Sequence, residues 1–181
     1  MGGVTGPEGS PEGTRAHRVE AWKLTALRLA VLTVSDSRTK ATDESGPLLV
    51  AKMEGAGHRV VERELLPNDE TRVRALVRTW VARDDLDAVL ITGGTGLGSK
   101  DRTIEAVRPL FEKELPGFGE IFRMLSYQEQ IGPAAILSRA TAGSARGRLI
   151  VSLPGSRAAV ELACDRILGP ELAHAVRELR R

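Results

Sequence analysis

Short apolar runs alternate with apolar stripes of helical period along most of this chain of 181 residues. Residues 29–34 form a continuous apolar run, which is typical of a strand buried on both faces. Between residues 73 and 81, apolar side chains recur at helical spacing, which predicts a helix with one buried face. The alternation predicts an α/β fold, a three-layer sandwich with a central, mostly parallel sheet.

The other elements follow the same two patterns. We predict strands at residues 60–61, 88–91 and 149–151, and helices over residues 45–54, 103–111, 118–125, 160–168 and 172–179. In parallel sheets, ligands bind at the carboxyl ends of the strands. The segments that follow the strands at 29–34, 88–91 and 149–151 are therefore expected to share one site.

The composition excludes several classes of function. Twenty-six Lys and Arg against 24 Asp and Glu leave a net charge of +2, and aromatic residues make up only 3%, so a nucleic-acid platform is not expected. Cys164 is the only cysteine, and His17, His58 and His174 are scattered, so neither a disulfide nor a Cys/His metal site is predicted. No apolar stretch reaches the roughly 18 residues of a membrane span. We expect a cytoplasmic protein that binds neither nucleic acid nor membranes.

The first residues differ in composition from the rest of the chain. Residues 1–22 are rich in Gly, Pro and Glu and have little to bury, which predicts a flexible N-terminal extension. Residues 23–181 are long enough for a single well-buried α/β domain. Trp22, Leu24 and Leu27 are candidates to anchor the extension on the domain or on a neighbouring subunit.

Four glycines fall within residues 93–98, directly after a predicted strand. Gly93, Gly94 and Gly96 allow the positive φ and the close backbone approach with which successive N–H groups bind an anion, and Thr95 adds a hydroxyl. The loop fits neither the P-loop nor the G-x-G-x-x-G pattern. A flexible connection is the alternative, but a turn does not need four glycines. The loop is therefore predicted to bind phosphate or a similar anion.

Small and polar residues also follow two other strands, as Pro154, Gly155 and Ser156 and as Ser35, Asp36 and Ser37. Ser156 fits the N-cap of the next helix, and the free N–H groups at the start of that helix fit an anion equally well. The sequence leaves both interpretations open. For residues 35–37 taken alone, an ordinary turn is favoured.

Two carboxylates lie near these loops. Asp69 precedes the helix at residues 73–81 and Asp101 follows the glycine loop, and either one fits a helix cap when taken alone. A carboxylate beside an anion-binding loop would repel the ligand unless a cation lay between them. Mg²⁺ fits this place, because it prefers one or two carboxylates plus phosphate oxygens. The candidates for further positive charge are Lys100, Arg102, Arg139 and Arg157.

Taken together and in this order, these stretches resemble the MoaB/MogA family of molybdenum cofactor biosynthesis proteins. The matching stretches are residues 34–37 (VSDS), 90–97 (LITGGTGL) followed by Asp101, 114–120 (ELPGFGE), 137–139 (LSR) and 153–156 (LPGS). The resemblance covers about residues 28–170. Residues 118–126 and 153–156 are more similar to the MoaB branch than to the MogA branch.

The resemblance implies a Rossmann-like molybdopterin-binding domain that transfers the adenylyl group of ATP to the terminal phosphate of molybdopterin with Mg²⁺, releasing pyrophosphate. It implies that Asp69 and Asp101 are catalytic and hold the metal, although the spacing between them is one residue shorter than in the adenylyltransferase pattern. It further implies a homo-oligomer, either a trimer or a hexamer, and other proteins of the pathway as partners. The cofactor-binding residues are then the loops at residues 35–37, 93–96 and 154–156, with Ser138 and Arg139.

Two other classes of function stay open. A non-catalytic molybdopterin carrier or partner-binding protein would bind the pterin without consuming ATP. An unrelated nucleotide-binding regulator would bind a nucleotide independently of molybdopterin. The sequence does not distinguish molybdenum from tungsten as the final metal.

Overall fold

The computed structural model describes residues 26–181, and its centre is a six-stranded sheet of order β2-β1-β3-β6-β5-β4. The strands are β1 (Arg28–Val34), β2 (Arg59–Leu66), β3 (Ala88–Thr92), β4 (Lys113–Glu114), β5 (Thr141–Ala145) and β6 (Arg148–Leu153). Strands β2, β1, β3 and β6 are parallel, whereas β5 runs antiparallel to both of its neighbours. The predicted mostly parallel sheet is therefore confirmed.

Helices cover both faces of this sheet. They are α1 (Ser45–Gly55), α2 (Glu70–Val81), α3 (Thr103–Val107), α4 (Pro116–Ser126), α5 (Arg157–Ala163) and α6 (Gly169–Leu179). One apolar core lies between the sheet and α1, α4, α5 and α6, and the second lies between the sheet and α2 and α3. This arrangement is the predicted three-layer α/β sandwich.

The second core shows how the sequence pattern becomes packing. Val73, Val77 and Trp80 of α2 lie on one face of that helix and are almost completely buried against the sheet. Burying a side chain of this size stabilises a fold by roughly 1.5–3 kcal/mol. The opposite face of α2 carries exposed arginines, so the helix can pack only one way round.

Strand β5 was not predicted, although all five of its residues are buried. Its sequence, TAGSA, contains only small residues and shows no apolar run. The strand forms a hairpin with β6 through Arg146 and Gly147, both at positive φ, and positive φ at both central residues is typical of a tight hairpin turn. Phe111 packs onto Gly143, where no side chain would fit.

The predicted helix at residues 103–111 is too long. Helix α3 ends at Val107, and residues Arg108–Leu110 continue as a 3-10 turn. Pro109 has no N–H group with which to continue the α-helical hydrogen bonds, so the helix stops there. Two π-helical segments, Tyr127–Ile131 and Cys164–Leu168, were also not predicted.

The predicted extension at residues 1–22 and the candidate anchors Trp22 and Leu24 lie outside the described residues. Leu27 is buried in the core that contains α1 and α6. Within residues 26–181, no helix combines the length and the hydropathy needed to cross a membrane.

Candidate functional site

A cavity of about 720 Å³ lies at the carboxyl ends of β1, β3 and β6. From β1 the chain passes to β2 on one side and then to β3 on the other, so the strand order reverses here. Such a reversal opens a crevice at the sheet edge. The structure brings the loops at residues 35–37, 93–96 and 154–156 together as walls of this cavity.

The glycine loop approaches neighbouring backbone so closely that side chains would not fit. Gly93 and Gly94 have φ of +100° and +65°. A Cβ on Gly93 would collide with the carbonyl oxygen of Val34, and one on Gly94 would collide with the hydroxyl of Thr103. Glycine is therefore required at both positions, for conformation and for space.

Hydrogen bonds fix this loop without using its central amides. The Gly93 N–H donates to the Leu153 carbonyl at 2.9 Å, and the Thr103 hydroxyl donates to the Gly93 carbonyl at 2.8 Å. Among residues 26–181, the N–H groups of Gly94, Thr95 and Gly96 donate to no protein acceptor. These three amides, on a loop that lines the cavity, are available to an anion.

Arg139 holds the glycine loop from outside the cavity. Its Nε donates to the Gly96 carbonyl at 2.9 Å, and its Nη2 donates to the Asp101 carbonyl at 3.1 Å. The guanidinium also pairs with Glu105, and this hydrogen bond lowers the pKa of the Glu105 carboxyl. Arg139, expected to bind the cofactor, does not line the cavity and instead orients the loop, whereas its neighbour Ser138 does line it.

The Pro154–Ser156 turn packs directly against the glycine loop. A Cβ on Gly155 would lie 3.2 Å from the Cα of Gly93. The Thr92 hydroxyl donates to the Pro154 carbonyl at 3.0 Å. Ser156 Oγ accepts the Ala159 N–H at 3.2 Å, so this serine is the N-cap of α5 as well as part of the cavity wall.

Residues 35–37 form a turn and also line the cavity. Ser35 Oγ accepts the Arg38 N–H at 3.2 Å. The Asp36 carboxylate accepts the backbone N–H of Asn68 at 2.8 Å and the Asn68 side-chain amide at 3.3 Å. These two hydrogen bonds lower the pKa of Asp36, so a charged carboxylate stands at the cavity wall.

One of the two predicted metal-binding carboxylates, Asp101, lines the cavity, and the other, Asp69, caps a helix beside it. Asp101 lines the cavity, and its Oδ2 accepts the Gly98 N–H at 3.1 Å. Asp69 does not line it: its Oδ1 accepts the Arg72 N–H at 3.0 Å and caps α2. Asp36 and Asn68 line the cavity instead. The capping position of Asp69, just before a helical stripe, was itself visible in the sequence.

The cationic candidates are also elsewhere. None of Lys100, Arg102, Arg139 and Arg157 lines the cavity. Arg102 pairs with Glu70, and Arg157 pairs with Glu161 at 3.5 Å. Among the described residues, Arg38 is the one Lys or Arg side chain in the cavity wall. The sequence has 26 Lys and Arg, and no pattern distinguishes Arg38 from the others.

One wall of the cavity is apolar. Side chains from α4, α5 and the segment between α4 and β5 form it: Phe122, Ile131, Ala134, Leu137, Ala158 and Ala159. A cavity that has both an anion-binding loop and an apolar wall suits a ligand with a phosphate at one end and a flat ring at the other.

A family model described as a probable molybdopterin binding domain matches residues 30–174, which include every cavity loop. Molybdenum cofactor biosynthesis protein B of Bacillus subtilis (strain 168) is 50% identical over 165 residues, covering 91% of this chain and 96% of that protein. The chain belongs to the MoaB family. The protein of the same name from Escherichia coli (strain K12) is 46% identical over 145 residues, covering 80% of this chain and 85% of its own length.

Solved structures agree with this membership. A crystal structure of molybdenum cofactor biosynthesis protein B superposes with a TM-score of 0.84 at 44% identity, covering 87% of this chain and 98% of the other. The tungsten cofactor synthesizing protein MoaB from Pyrococcus furiosus gives 0.78 at 36% identity, covering 87% and 99%. A MogA structure gives 0.74 at 28% identity, covering 84% and 99%. This MoaB-type protein of molybdenum cofactor biosynthesis therefore has a molybdopterin-binding domain, which argues against an unrelated nucleotide-binding regulator.

Proposed function

We propose that this MoaB-family protein binds molybdopterin in the cavity and transfers the adenylyl group of ATP to its terminal phosphate. The observation that carries the proposal is that one cavity contains both anion-binding and cation-binding groups. Three backbone amides of the glycine loop without a protein acceptor and the carboxylates of Asp36 and Asp101 line the same cavity. The amides suit the phosphate of the pterin, and the carboxylates suit the cation that accompanies ATP.

The binding residues follow from this assignment. The terminal phosphate of molybdopterin binds the amides of Gly94, Thr95 and Gly96 and the Pro154–Ser156 turn. The pterin lies along the apolar wall, where Phe122 and Leu137 exclude water. Residues 35–37 and Ser138 complete the polar edge.

Mg²⁺ fits the oxygen donors of the cavity. Asp36 and Asp101 line it as carboxylates, and without a cation they would repel two phosphorylated substrates. Residues 26–181 contain no preformed group of three or more His, Cys, Asp or Glu side chains that could hold a metal. This suits Mg²⁺, which commonly binds through one or two carboxylates together with substrate phosphates. Bound there, Mg²⁺ would offset negative charge on ATP and on the departing pyrophosphate.

The reaction needs positioning more than covalent chemistry from the protein. An oxygen of the molybdopterin phosphate attacks the α-phosphorus of ATP, a new phosphorus–oxygen bond forms, and the bond to pyrophosphate breaks. The glycine loop holds the attacking phosphate in place, and Asp101 and Asp36 would hold the Mg²⁺ that binds the phosphates of the nucleotide. Asp69 caps α2 and is left out of the proposed metal site.

The test is incubation of the purified protein with molybdopterin, Mg²⁺ and ATP while pyrophosphate and adenylylated pterin are measured. Both products should rise together in equal amounts and should require the protein. Pyrophosphate no higher than in a protein-free control, with molybdopterin bound, would contradict the transferase proposal.

That outcome would favour a second candidate, a non-catalytic molybdopterin carrier or partner-binding protein of the same pathway. The observation in its favour is that Asp69 is engaged as a helix cap, whereas Asp101 lines the cavity. A carrier would bind molybdopterin with unchanged affinity when Mg²⁺ and ATP are added, and would leave ATP intact.

We also propose a homo-oligomer, a trimer or a hexamer, in the cytoplasm. Large apolar side chains are exposed just before α4, along it and in the segment after it: Leu115, Ile121, Met124, Tyr127, Ile131, Ile136 and Leu137. Several large apolar side chains exposed on one segment of the chain favour a protein contact. Light scattering after size exclusion should give a multiple of the 19.5 kDa chain, and Ile136→Glu should shift the mass towards that of one chain. A wild-type mass of one chain would contradict the proposal.

A further inference from the structure

The charges around the cavity are unevenly matched. Among the described residues in its wall, Arg38 is the one Lys or Arg, whereas Asp36 and Asp101 are both carboxylates. A phosphate group carrying two negative charges would be repelled by the carboxylates and attracted by a single guanidinium. The position of Arg38 therefore determines where in the cavity a phosphate binds most favourably.

Arg38 is held by one nitrogen only. Its Nη1 donates to the Gly155 carbonyl at 3.1 Å and to the hydroxyl of Ser45. Within residues 26–181, its Nε and Nη2 have no acceptor. These two nitrogens form the edge of a guanidinium that binds two oxygens of one phosphate side by side.

A buried carboxylate lies behind this arginine. The Asp43 side chain is fully buried, and its Oδ1 is 3.8 Å from Nη1 of Arg38. Burial alone would raise the pKa of Asp43, but hydrogen bonds from the Gly46 N–H, the Thr33 hydroxyl and Arg63 hold that pKa below its ordinary value. Asp43 therefore stays negatively charged.

Ser45 connects the two groups. Its hydroxyl donates to Asp43 Oδ1 at 3.2 Å and accepts from Nη1 of Arg38. Because the Ser45 hydroxyl donates its hydrogen bond to Asp43, a lone pair of the Ser45 oxygen is free to accept from Arg38. The adjacent Gly46 packs closely on the same carboxylate, since a Cβ there would collide with both Asp43 and Thr33.

We infer that Arg38 is the side chain that recognises the terminal phosphate of molybdopterin, and that Ser45 and Asp43 are positioning residues that aim it. The inference rests on the proposed binding of molybdopterin in this cavity. It adds a phosphate-specific contact beyond the glycine loop and the Pro154–Ser156 turn.

The contacts of Arg38 select the pterin phosphate over the phosphates of ATP. Nη1 touches the carbonyl of Gly155, and Gly155 packs against Gly93. Arg38 therefore contacts the Pro154–Ser156 turn directly and lies next to the glycine loop, the two loops assigned to the pterin phosphate. The carboxylates assigned to the metal of ATP come from Asp36 and Asp101, with which Arg38 forms no ion pair.

Equilibrium binding of molybdopterin in the absence of ATP, measured by fluorescence titration, tests the recognition step. Arg38→Ala should weaken the affinity by about 10- to 100-fold, the loss expected for a charged hydrogen-bond pair. Arg38→Lys should fall between this variant and wild type, because an ammonium cannot bind two oxygens side by side. Arg157→Ala, which removes an arginine outside the cavity, is the matched control and should change affinity less than about twofold.

Two further ligands separate the sources of phosphate. Molybdopterin treated with phosphatase should bind wild type and Arg38→Ala with the same affinity. Mg·ATP should also bind both proteins within about twofold. An Arg38→Ala variant that lost ATP affinity but kept molybdopterin affinity would overturn the assignment.

A double-mutant cycle tests positioning. Ser45→Ala should weaken molybdopterin binding by about threefold to tenfold when Arg38 is present, and should have no further effect in the Arg38→Ala background. A general structural defect would lower affinity equally in both backgrounds and would overturn the positioning role. Ser45→Ala removes only one hydrogen bond to Asp43 and keeps those from the Gly46 N–H, Thr33 and Arg63, so it disturbs the fold less than a substitution of the buried Asp43 itself.

The outcomes separate the inference from the function on which it rests. Wild-type protein that fails to bind molybdopterin would defeat the proposed function. Wild-type protein that binds molybdopterin, together with Arg38→Ala that binds it equally well, would overturn the role of Arg38 alone. The two molybdopterin titrations, of wild type and of Arg38→Ala, contain no ATP, so they do not depend on whether the protein transfers an adenylyl group.

Discussion

Two buried aspartates lie at opposite ends of the parallel strands. Asp43 is at the carboxyl ends, called the ligand edge below, and Asp87 is at the amino ends, called the opposite edge. Both accept hydrogen bonds from arginine and from a backbone N–H, but they have different roles. At the ligand edge, Asp43 accepts the Gly46 N–H and a hydrogen bond from Arg63, and lies near Arg38. At the opposite edge, Asp87 accepts the Arg28 N–H at 2.6 Å and pairs with the guanidinium groups of Arg28 and Arg180.

The two sites differ in how many hydrogen-bonding groups of each arginine are engaged by the protein. Both arginines of Asp87 bind the carboxylate itself, and they tie the first strand and the C-terminal residues to the start of β3. Arg38 has only one nitrogen engaged and extends into the cavity wall. The same kind of buried carboxylate is therefore structural at one edge and directs an arginine towards a ligand at the other, because Arg38 lines the ligand cavity whereas Arg28 and Arg180 do not.

The largest expected effect is on turnover at the ligand edge. Asp101→Asn keeps the shape but removes the charge proposed to hold Mg²⁺, so kcat for adenylyl transfer should fall by about 100-fold, equal to about 2.7 kcal/mol of activation free energy. Molybdopterin affinity measured without ATP should stay within about threefold of wild type. Unchanged kcat at saturating Mg·ATP would refute the role of Asp101.

At the opposite edge, the expected effect is on stability. Asp87→Ala leaves two arginines and a backbone N–H without their acceptor, so the free energy of unfolding in urea should fall by about 2 kcal/mol. Molybdopterin affinity should not change. Asp85→Ala, at an exposed aspartate two residues away, is the control and should have a much smaller effect on unfolding. Loss of ligand affinity in Asp87→Ala would erase the contrast between the edges.

Asp69 allows a sharper test of the ligand edge. Removal of this N-cap by Asp69→Ala should lower the free energy of unfolding by about 1 kcal/mol, because the Arg72 N–H loses its acceptor. The value of kcat should stay within about threefold of wild type, in contrast to Asp101→Asn. A loss of turnover as large as that of Asp101→Asn would return Asp69 to the metal site that the family resemblance implied.

The smallest expected effect is on the pH dependence of stability. Hydrogen bonds hold the pKa of both Asp43 and Asp87 below the ordinary value of 3.8 despite burial. A lowered pKa in the folded protein gives stability that is complete above the ordinary value and is lost as the pH falls through the folded value. The free energy of unfolding should therefore fall below about pH 4, and Asp87→Asn should flatten that slope. An identical slope in the variant would contradict the linkage.

The sequence predicted most of the secondary structure for a physical reason. Buried strands such as β1 and β3 need continuous apolar runs, and helices such as α2 need an apolar stripe, so both leave a periodic signal. Strand β5 leaves none, because its small residues are buried by Phe111 and by pairing with β6, which are contacts distant along the chain.

The sequence by itself determined the α/β class, the loops that follow the parallel strands and, among them, the glycine loop. It could do so because the period of apolar residues and the conformational freedom of glycine are local properties. Only the tertiary structure decided which charged residues reach the cavity. It turned Arg139 and Asp69 to structural contacts and brought Arg38 and Asn68 into the wall. A charged side chain can be hydrated at almost any position on a protein surface. Its role therefore depends on the partners that folding brings within hydrogen-bonding distance.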